Sequence, residues 1–363
     1  MRIFVLDRNF DILGSIPLYR TLIWTRRYEM PGCFEMHLSG DGFPMLSAGR
    51  YLYRNDALEL GVIDEVGYSQ DENGGIEAYI KGNFAEVLLA GRVVESMAVL
   101  SGSLEGCMRE LVRRAAIEPD DPGRAIPHLK LGEASGLQGK LDVQTTGAVL
   151  SDKLYEVGNT FGVSHRVRYD FQTNDLLFEV WQGKDRRDSQ EEHSWAVFSN
   201  AFCNVRSMSY TRDGSAYRNF AYVAGAGEGM DRVTVPVDMV PPGGQRQEIW
   251  VDARDLQPED AEGNAIPLED YKAQLVQRGR EKLAGYPLVE SVEACIDPDA
   301  NLAYRKDFDL GDLCTYLNAD IGISVDKRIT EVVETYEGGA ARLDVTFGSC
   351  GPQTVRQLIR REA

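Results

Sequence analysis

The chain has 363 residues, long for one ordinary core, and this length favours roughly two to three domains. Hydrophobic residues at 43% and charged residues at 26% match the usage of a packed globular chain, which excludes disorder and fibres. With 57 acidic residues against 39 basic ones the net charge is −18, so phosphate backbones and anionic lipid repel the chain and nucleic acid is excluded as a main partner.

The opening apolar run, Ile3-Phe4-Val5-Leu6, stops at Asp7. A secretory core needs roughly 7–15 apolar residues, and no export signal is expected. No apolar stretch approaches the ~20 residues of a spanning helix, so no membrane insertion is expected. Strand signals dominate up to residue 98, and segments 58–66 and 76–80 flank Asn73-Gly74-Gly75, a hairpin centre that tolerates positive φ. Helices are predicted at 104–116 and at 148–161, the second with Leu150, Leu154, Val157 and Phe161 at spacings of three and four. Hairpins follow at 163–171 with 176–181 around Asn174, and at 205–210 with 217–223 around Asp213-Gly214. The clearest helix is 267–284, with Pro267 at its start and Gly285 as its stop. A last hairpin, 329–336 with 341–347, brackets Gly338-Gly339. Pro-, Gly- and acid-rich connectors lie at 118–123, 241–244 and 256–264.

The predicted fold class is mainly β with α+β insertions. A first β domain spans 1–98 with 197–226, an α+β insertion 99–196, and a second β domain with a helical insertion 227–363.

Chemistry-bearing motifs are few. Gly225-Ala226-Gly227-Glu228-Gly229 has its third glycine one residue early for a dinucleotide loop, and the next residues read as a strand where a helix is needed. Asp297-Pro298-Asp299-Ala300-Asn301 begins like a calcium loop but places Leu302 and Phe308 where Gly and Glu belong. Asp307, Asp309 and Asp312 could gather a cation, although surface acids are ordinarily just solvated. Gly348-Ser349-Cys350-Gly351 ends the last hairpin without a base beside it and reads as a tight turn. The histidines His37, His128, His165 and His193 accompany no nucleophile motif. Six scattered cysteines, Cys33, Cys107, Cys203, Cys295, Cys314 and Cys350, form neither a disulfide framework nor a zinc site. Arg109 and Arg113 share a helix face, which suits solvated pairs or a subunit seam. No catalytic, metal or cofactor residue is nominated.

Several segments, taken in order, resemble the hub proteins of siphophage tail tips, the family that includes the N-terminal hub part of tail-associated lysins. They begin with Leu22-Ile23-Trp24-Thr25-Arg26-Arg27-Tyr28 followed by Gly32-Cys33-Phe34, then Gly82-Asn83-Phe84 with Leu88-Leu89-Ala90-Gly91-Arg92. Next come Trp181-Gln182-Gly183-Lys184-Asp185-Arg186 with Val197-Phe198-Ser199, where Arg187 replaces the expected Thr. The glycine segment 225–229, Val251-Asp252-Ala253-Arg254-Asp255, Asp309-Leu310-Gly311-Asp312 and Arg328-Ile329-Thr330 complete the series.

The resemblance implies two related β-barrel domains, related in fold to contractile-phage baseplate hubs, with three copies forming a hub ring in the virion. It implies a structural, non-enzymatic tail-tip protein, assembled in the host cytoplasm. Its expected partners are the distal tail protein, the tape measure protein and a tail fibre or receptor-binding protein, with DNA only in transit. Trp24, Tyr28, Gly32, Phe34, Asp185, Arg186, Arg254, Asp255 and Asp312 are nominated as structural or subunit-interface residues. A seam role for Arg186 predicts that Arg186→Glu weakens assembly while the monomer stays folded. The alternatives are a tail-associated cell-wall hydrolase and the hub of a tail-like bacteriocin or injection system. A lytic domain is not expected, because only about fifteen residues follow the last hairpin.

Overall fold

The structure, a computed structural model, describes residues 1–70, 72, 74–229, 232–259, 264–297 and 300–348. Strands hold 44% of the chain and helices 19%, so it is mainly β, as the hairpin signals predict. Asp71 and Asn73 of the first hairpin centre, 260–263 of one connector, Pro298 and Asp299 of the calcium-like loop, and 349–351 of the terminal glycine motif lie outside the described residues.

The N-terminal strands are β1 (Ile3–Leu6), β2 (Ile12–Ile16), β3 (Thr21–Arg27), β4 (Cys33–Ser39), β5 (Tyr51–Arg54), β6 (Leu60–Gln70) and β7 (Ile76–Phe84), with short helices α1 (Phe43–Ala48) and α2 (Val87–Ala90). They lie antiparallel in the order β3-β4-β7-β6-β5-β1-β2. Alternation decides which face is inner: in β4, Phe34, Met36 and Leu38 are buried while Glu35 and His37 between them reach water. The predicted hairpin is β6–β7, and Gly74 in its turn has φ +79°, which costs glycine nothing.

The insertion carries β8 (Ala98–Ser103), α3 (Leu104–Val112), β9 (Leu129–Leu131), β10 (Lys140–Thr145), α4 (Leu150–Phe161), β11 (Ser164–Asp170) and β12 (Asp175–Trp181). Both predicted helices are present, and α3 runs on into a π-helical turn, Arg113–Ile117. The Ser103 hydroxyl accepts the Gly106 N–H and caps α3, and Gly162 at φ +67° ends α4. β11 and β12 form the predicted hairpin, β9 adds to β12 in parallel, and β8 pairs with β10. Met108, Leu111, Leu154, Val157, Val167 and Phe178 share one buried cluster with Leu60, Val62 and Leu89 of the first segment. The insertion is therefore packed onto the N-terminal sheet through a common apolar core.

The remaining elements are β13 (Val197–Ser199), β14 (Val205–Asp213), β15 (Phe220–Ala224), β16 (Thr234–Asp238), β17 (Glu248–Asp252), α5 (Leu268–Ala284), β18 (Val289–Ile296), β19 (Leu313–Asn318), β20 (Ile323–Glu337) and β21 (Ala340–Phe347). The predicted pairing of 205–210 with 217–223 does not form: β14 pairs with β18, and β15 lies between β16 and β17 in a separate sheet. The reason is chemical. β15 buries Ala221 and Val223 against α5, whereas β14 sets its few apolar residues, Val205, Met208 and Tyr210, against the core of the C-terminal strands. Residues 205–213 thus join the C-terminal strands by hydrogen bonding, not the strands of 1–98.

The predicted β20–β21 hairpin is present, but β20 is longer than its signal. Its first part pairs with β19 and its second with β21 on one side and β3 on the other. One strand thereby fuses N- and C-terminal strands into a 13-stranded sheet whose main path runs from β14 to β2. Among the described residues that path is open at both ends, and no closed barrel is found.

Glu86, just before α2, sits where this sheet meets the insertion. Its Oε1 accepts the Val167 N–H at 3.2 Å and its Oε2 is buried without a hydrogen-bond partner among the described residues. Burial, with a further push from the Glu59 charge, raises its pKa from 4.5 to about 7. Between those two values the folded carboxyl keeps a proton that the unfolded one has lost, so this group subtracts stability as pH rises through the window. Glu86→Gln keeps an acceptor for Val167. It is expected to melt near wild type at about pH 4 and at a progressively higher temperature than wild type towards about pH 7.5, as followed by circular dichroism. A constant difference across that range would contradict the assignment.

Candidate functional site

Two arginines on inner strand positions organise the junction between the N- and C-terminal strands. Arg54 ends β5 in register with buried Leu52, so the pleat turns it into the core, where 0% of it is exposed. Its Nη2 donates to Glu334 Oε2 at 2.9 Å and to Asp56 Oδ2 at 3.2 Å, and its guanidinium lies 4.8 Å from the centre of the Trp24 ring. Glu334 of β20, 3% exposed, also accepts from Arg305 Nη2 at 2.8 Å, Tyr304 OH at 3.2 Å and Tyr336 OH at 2.8 Å. A buried carboxylate with this many donors is fully compensated.

Arg26 of β3 repeats the device. It donates from Nε to Glu59 Oε1 at 2.6 Å and from Nη1 to Asp309 Oδ1 at 2.6 Å and Tyr304 OH at 2.7 Å. Burial lowers the pKa of both guanidinium groups, but the facing carboxylates outweigh it and raise them above the ordinary value. Burial likewise raises the Glu59 carboxyl, and the Arg26 charge more than reverses this.

Asp309 connects this cluster to a third arginine. Its backbone N–H donates to Asp312 Oδ2, which also accepts from Arg186 Nε at 2.7 Å, while Asp312 Oδ1 accepts the Lys184 N–H at 2.7 Å. Arg186 reaches onward to Ser194 Oγ at 2.8 Å. Beside it the backbones meet so closely that a Cβ on Gly183 would fall 1.9 Å from the Gly311 oxygen. Tyr28 packs edge-on to Trp181 at 5.0 Å, donates to the Gly162 carbonyl at 3.1 Å, and is pushed up to about 12 by burial. The lattice from Glu59 through Arg26, Asp309 and Asp312 to Arg186 ties together three distant stretches of chain.

The arrangement is a network of buried ion pairs. Each of its carboxylates accepts from protein donors. Among the described residues Glu59 Oε2 is buried and unbonded, and no group of three or more His, Cys, Asp or Glu able to hold a metal is present. Asp307, Asp309 and Asp312 hold Ala303 N, Arg26 and Arg186 in place of a cation. The 225–229 glycine segment leads into strand β16, as its sequence predicts.

A family model described as Siphovirus ReqiPepy6 Gp37-like protein matches residues 1–349. The chain belongs to this family. The siphophage kinship expected from the sequence is thereby borne out. No curated protein matches it by sequence. Among solved structures, a tail protein from Neisseria meningitidis MC58 superposes with a TM-score of 0.58 at 12% identity, covering 98% of each chain. The 43 kDa tail protein of prophage MuSo2 from Shewanella oneidensis gives 0.55 at 11% identity, covering 96% of this chain and 98% of that one. Prophage tail protein gp18 from Listeria monocytogenes EGD-e gives 0.55 at 12%, covering 99% of each. At such identities the likeness is one of fold.

Of the residues nominated from sequence, Trp24, Tyr28, Phe34, Arg186 and Asp312 are buried around this junction. Gly32 is needed nearby, since a Cβ there would lie 2.3 Å from the Thr25 oxygen and 2.5 Å from the Phe84 ring. Asp185 flanks the junction and pairs with Arg187 at 2.6 Å. Arg254 and Asp255 lie apart, beside α5, paired with Asp252 at 2.6 Å and Arg278 at 2.9 Å. Sequence reasoning missed Arg54, Glu59, Tyr304, Arg305 and Glu334. A signal existed for two of them: Arg54 alternates with Leu52, and Glu334 with Val332, placing charge on the apolar face of a strand.

Arg186 is corrected in one respect. It is buried against Asp312, so Arg186→Glu would set two carboxylates face to face inside the protomer. The expected outcome is a lowered unfolding midpoint of the monomer itself, read by urea denaturation, and not a folded monomer deficient only in assembly. Arg54→Met removes the fully buried cation of Glu334 and leaves Arg305 at 2.8 Å as its remaining one. It is expected to lower stability in the same measurement by less than the roughly 3–5 kcal/mol of a stranded buried charge.

Proposed function

We propose that this protein is a non-enzymatic structural component of a phage tail, a hub at the tail tip. The observation that carries this reading is the likeness of fold to one tail protein and two prophage tail proteins over 96–99% of this chain, joined to its siphovirus family. The buried arginine lattice fits a load-bearing part, because it locks N- and C-terminal strands and the insertion to one another with charge-assisted bonds. The main sheet ends at β2 and β14. Such edges suit addition of a neighbouring protomer's strands, which covers them. On this reading three copies close into a ring in which each contributes two related β-barrel domains. The ring continues the tail tube, with the distal tail protein above and the tape measure protein and a fibre or receptor-binding protein as further partners. DNA crosses it in transit, and the net charge of −18 keeps it from sticking. Assembly takes place in the host cytoplasm, and the finished location is the virion tail tip.

Immunogold labelling of virions with antibody to this chain is expected to mark the tail tip. Label on the capsid, or none on purified virions, would overturn the tail reading. Light scattering after size exclusion is expected to give three times the 40.4 kDa protomer mass. A monomer in the presence of the distal tail protein would remove the ring.

A further inference from the structure

The small sheet β16-β15-β17 buries one face and shows the other to water. Ala221, Val223, Val235, Val237 and Val251 point inward, packed on Tyr271 and Leu275 of α5. The intervening residues lie on the other face, where Phe220 and Ala224 are covered and the rest are exposed. Register aligns them in rows across the three strands: Pro236, Tyr222 and Trp250 form the middle row, with Asp238, Phe220 and Glu248 on one side and Thr234, Ala224 and Asp252 on the other. Trp250 is 62% exposed and Tyr222 36%, an unusual amount of uncovered ring for adjacent positions of one sheet.

The surroundings of this row are polar and pre-positioned. Arg246 lies over the Phe220 ring, 3.3 Å from its centre, donates from Nη2 to the Tyr222 hydroxyl at 2.8 Å and pairs with Glu248 at 2.8 Å. Across the row, Asp252 is held by Arg232 and Arg254. Flat rings therefore occupy the centre, with carboxylates, guanidinium groups and a threonine hydroxyl along both borders.

We propose that this face is a binding platform for an oligosaccharide of neutral pyranose units. Such a chain presents apolar C–H faces that stack on the Trp250 and Tyr222 rings, and hydroxyls around its rim that hydrogen-bond to the bordering carboxylates and guanidinium groups. Strands about 4.8 Å apart make the middle row roughly 10 Å long, which matches about two sugar rings end to end. Two other occupants fit worse. The cores of protein interfaces are depleted in charge and a stable one covers about 800 Å² per partner, whereas this apolar row is one residue wide and bordered by ion pairs. Single-stranded nucleic acid also stacks on aromatic rings, but it needs cations for its phosphates, and the bordering arginines are already paired, Arg246 with Glu248 and Arg232 and Arg254 with Asp252. The proposal is independent of the tail reading, since glycan binding is read on this chain whether or not it is part of a tail.

The test is a printed array of bacterial and plant glycans probed with the full chain, followed by calorimetry on the best soluble oligosaccharide. Wild type is expected to bind at least one pyranose glycan, Trp250→Ala to weaken it by about tenfold or more, and Trp250→Phe to keep most of it. Melting temperatures of the variants should match wild type, because Trp250 packs mainly against water. No bound glycan, or equal binding by Trp250→Ala, overturns the proposal. So does a change in oligomeric mass caused by Trp250→Ala, or binding of oligo-dT that this variant loses, since each assigns the face to a different partner.

Discussion

Arg54 carries its charge with none of its side chain in water, and the carboxylate that compensates it, Glu334, comes from a strand 280 residues further along the chain. Neither group could be buried alone, because an isolated charge in the core costs several kcal/mol after relaxation. β20 brings Glu334 to Arg54 and β5 brings Arg54 to Glu334, so each supplies buried counter-charge to the other, with Asp56 and Arg305 adding to the two sides. Arg26 imposes the same condition through Glu59 and Asp309. Two reciprocal pairs thus make the two ends of the chain dependent on each other.

The other features of the fold follow from this dependence. β20 is long because it serves two partnerships, β19 with its first part and β3 and β21 with its second. The insertion is held from two sides, by the apolar cluster it shares with Leu60, Val62 and Leu89 and by the Arg186–Asp312 pair at its end. The 183–186 and 309–312 segments touch backbone to backbone, which only glycine at 183 and 311 permits. Buried charge gathers at this junction and at one further contact, where Lys153 of α4 meets Glu281 of α5 at 2.5 Å, while the β15–β17 sheet is joined to α5 by packing around Tyr271 and Leu275.

Much was legible in the sequence where a local rule sufficed. Three hairpins and three helices follow from alternation, 3.6-residue periodicity, turn glycines and a Pro–Gly bracket, all of which act within a few residues of one another. The family kinship was legible too, through short segments in a fixed order. The hairpin expected at 205–223 failed because neighbouring strands separated by a good turn need not pair. Asp213 does cap a turn through the Ser215 N–H, but the buried face of β15 matched α5, and β14, with Val205, Met208 and Tyr210 on the C-terminal core, matched β18.

The sequence by itself therefore determined the mainly β character, the positions of the helices and the membership of a siphovirus family, since these depend on local periodicity and residue order. Only the tertiary structure decided that β3 and β20 share a sheet, that Arg54 meets Glu334, that Arg186 is an internal strut, and that Tyr222 and Trp250 stand side by side. The physical reason is the same in each case. Strand pairing and ion pairing between distant residues are selected by the joint fit of faces and charges across the whole fold, and no short window of sequence contains both partners.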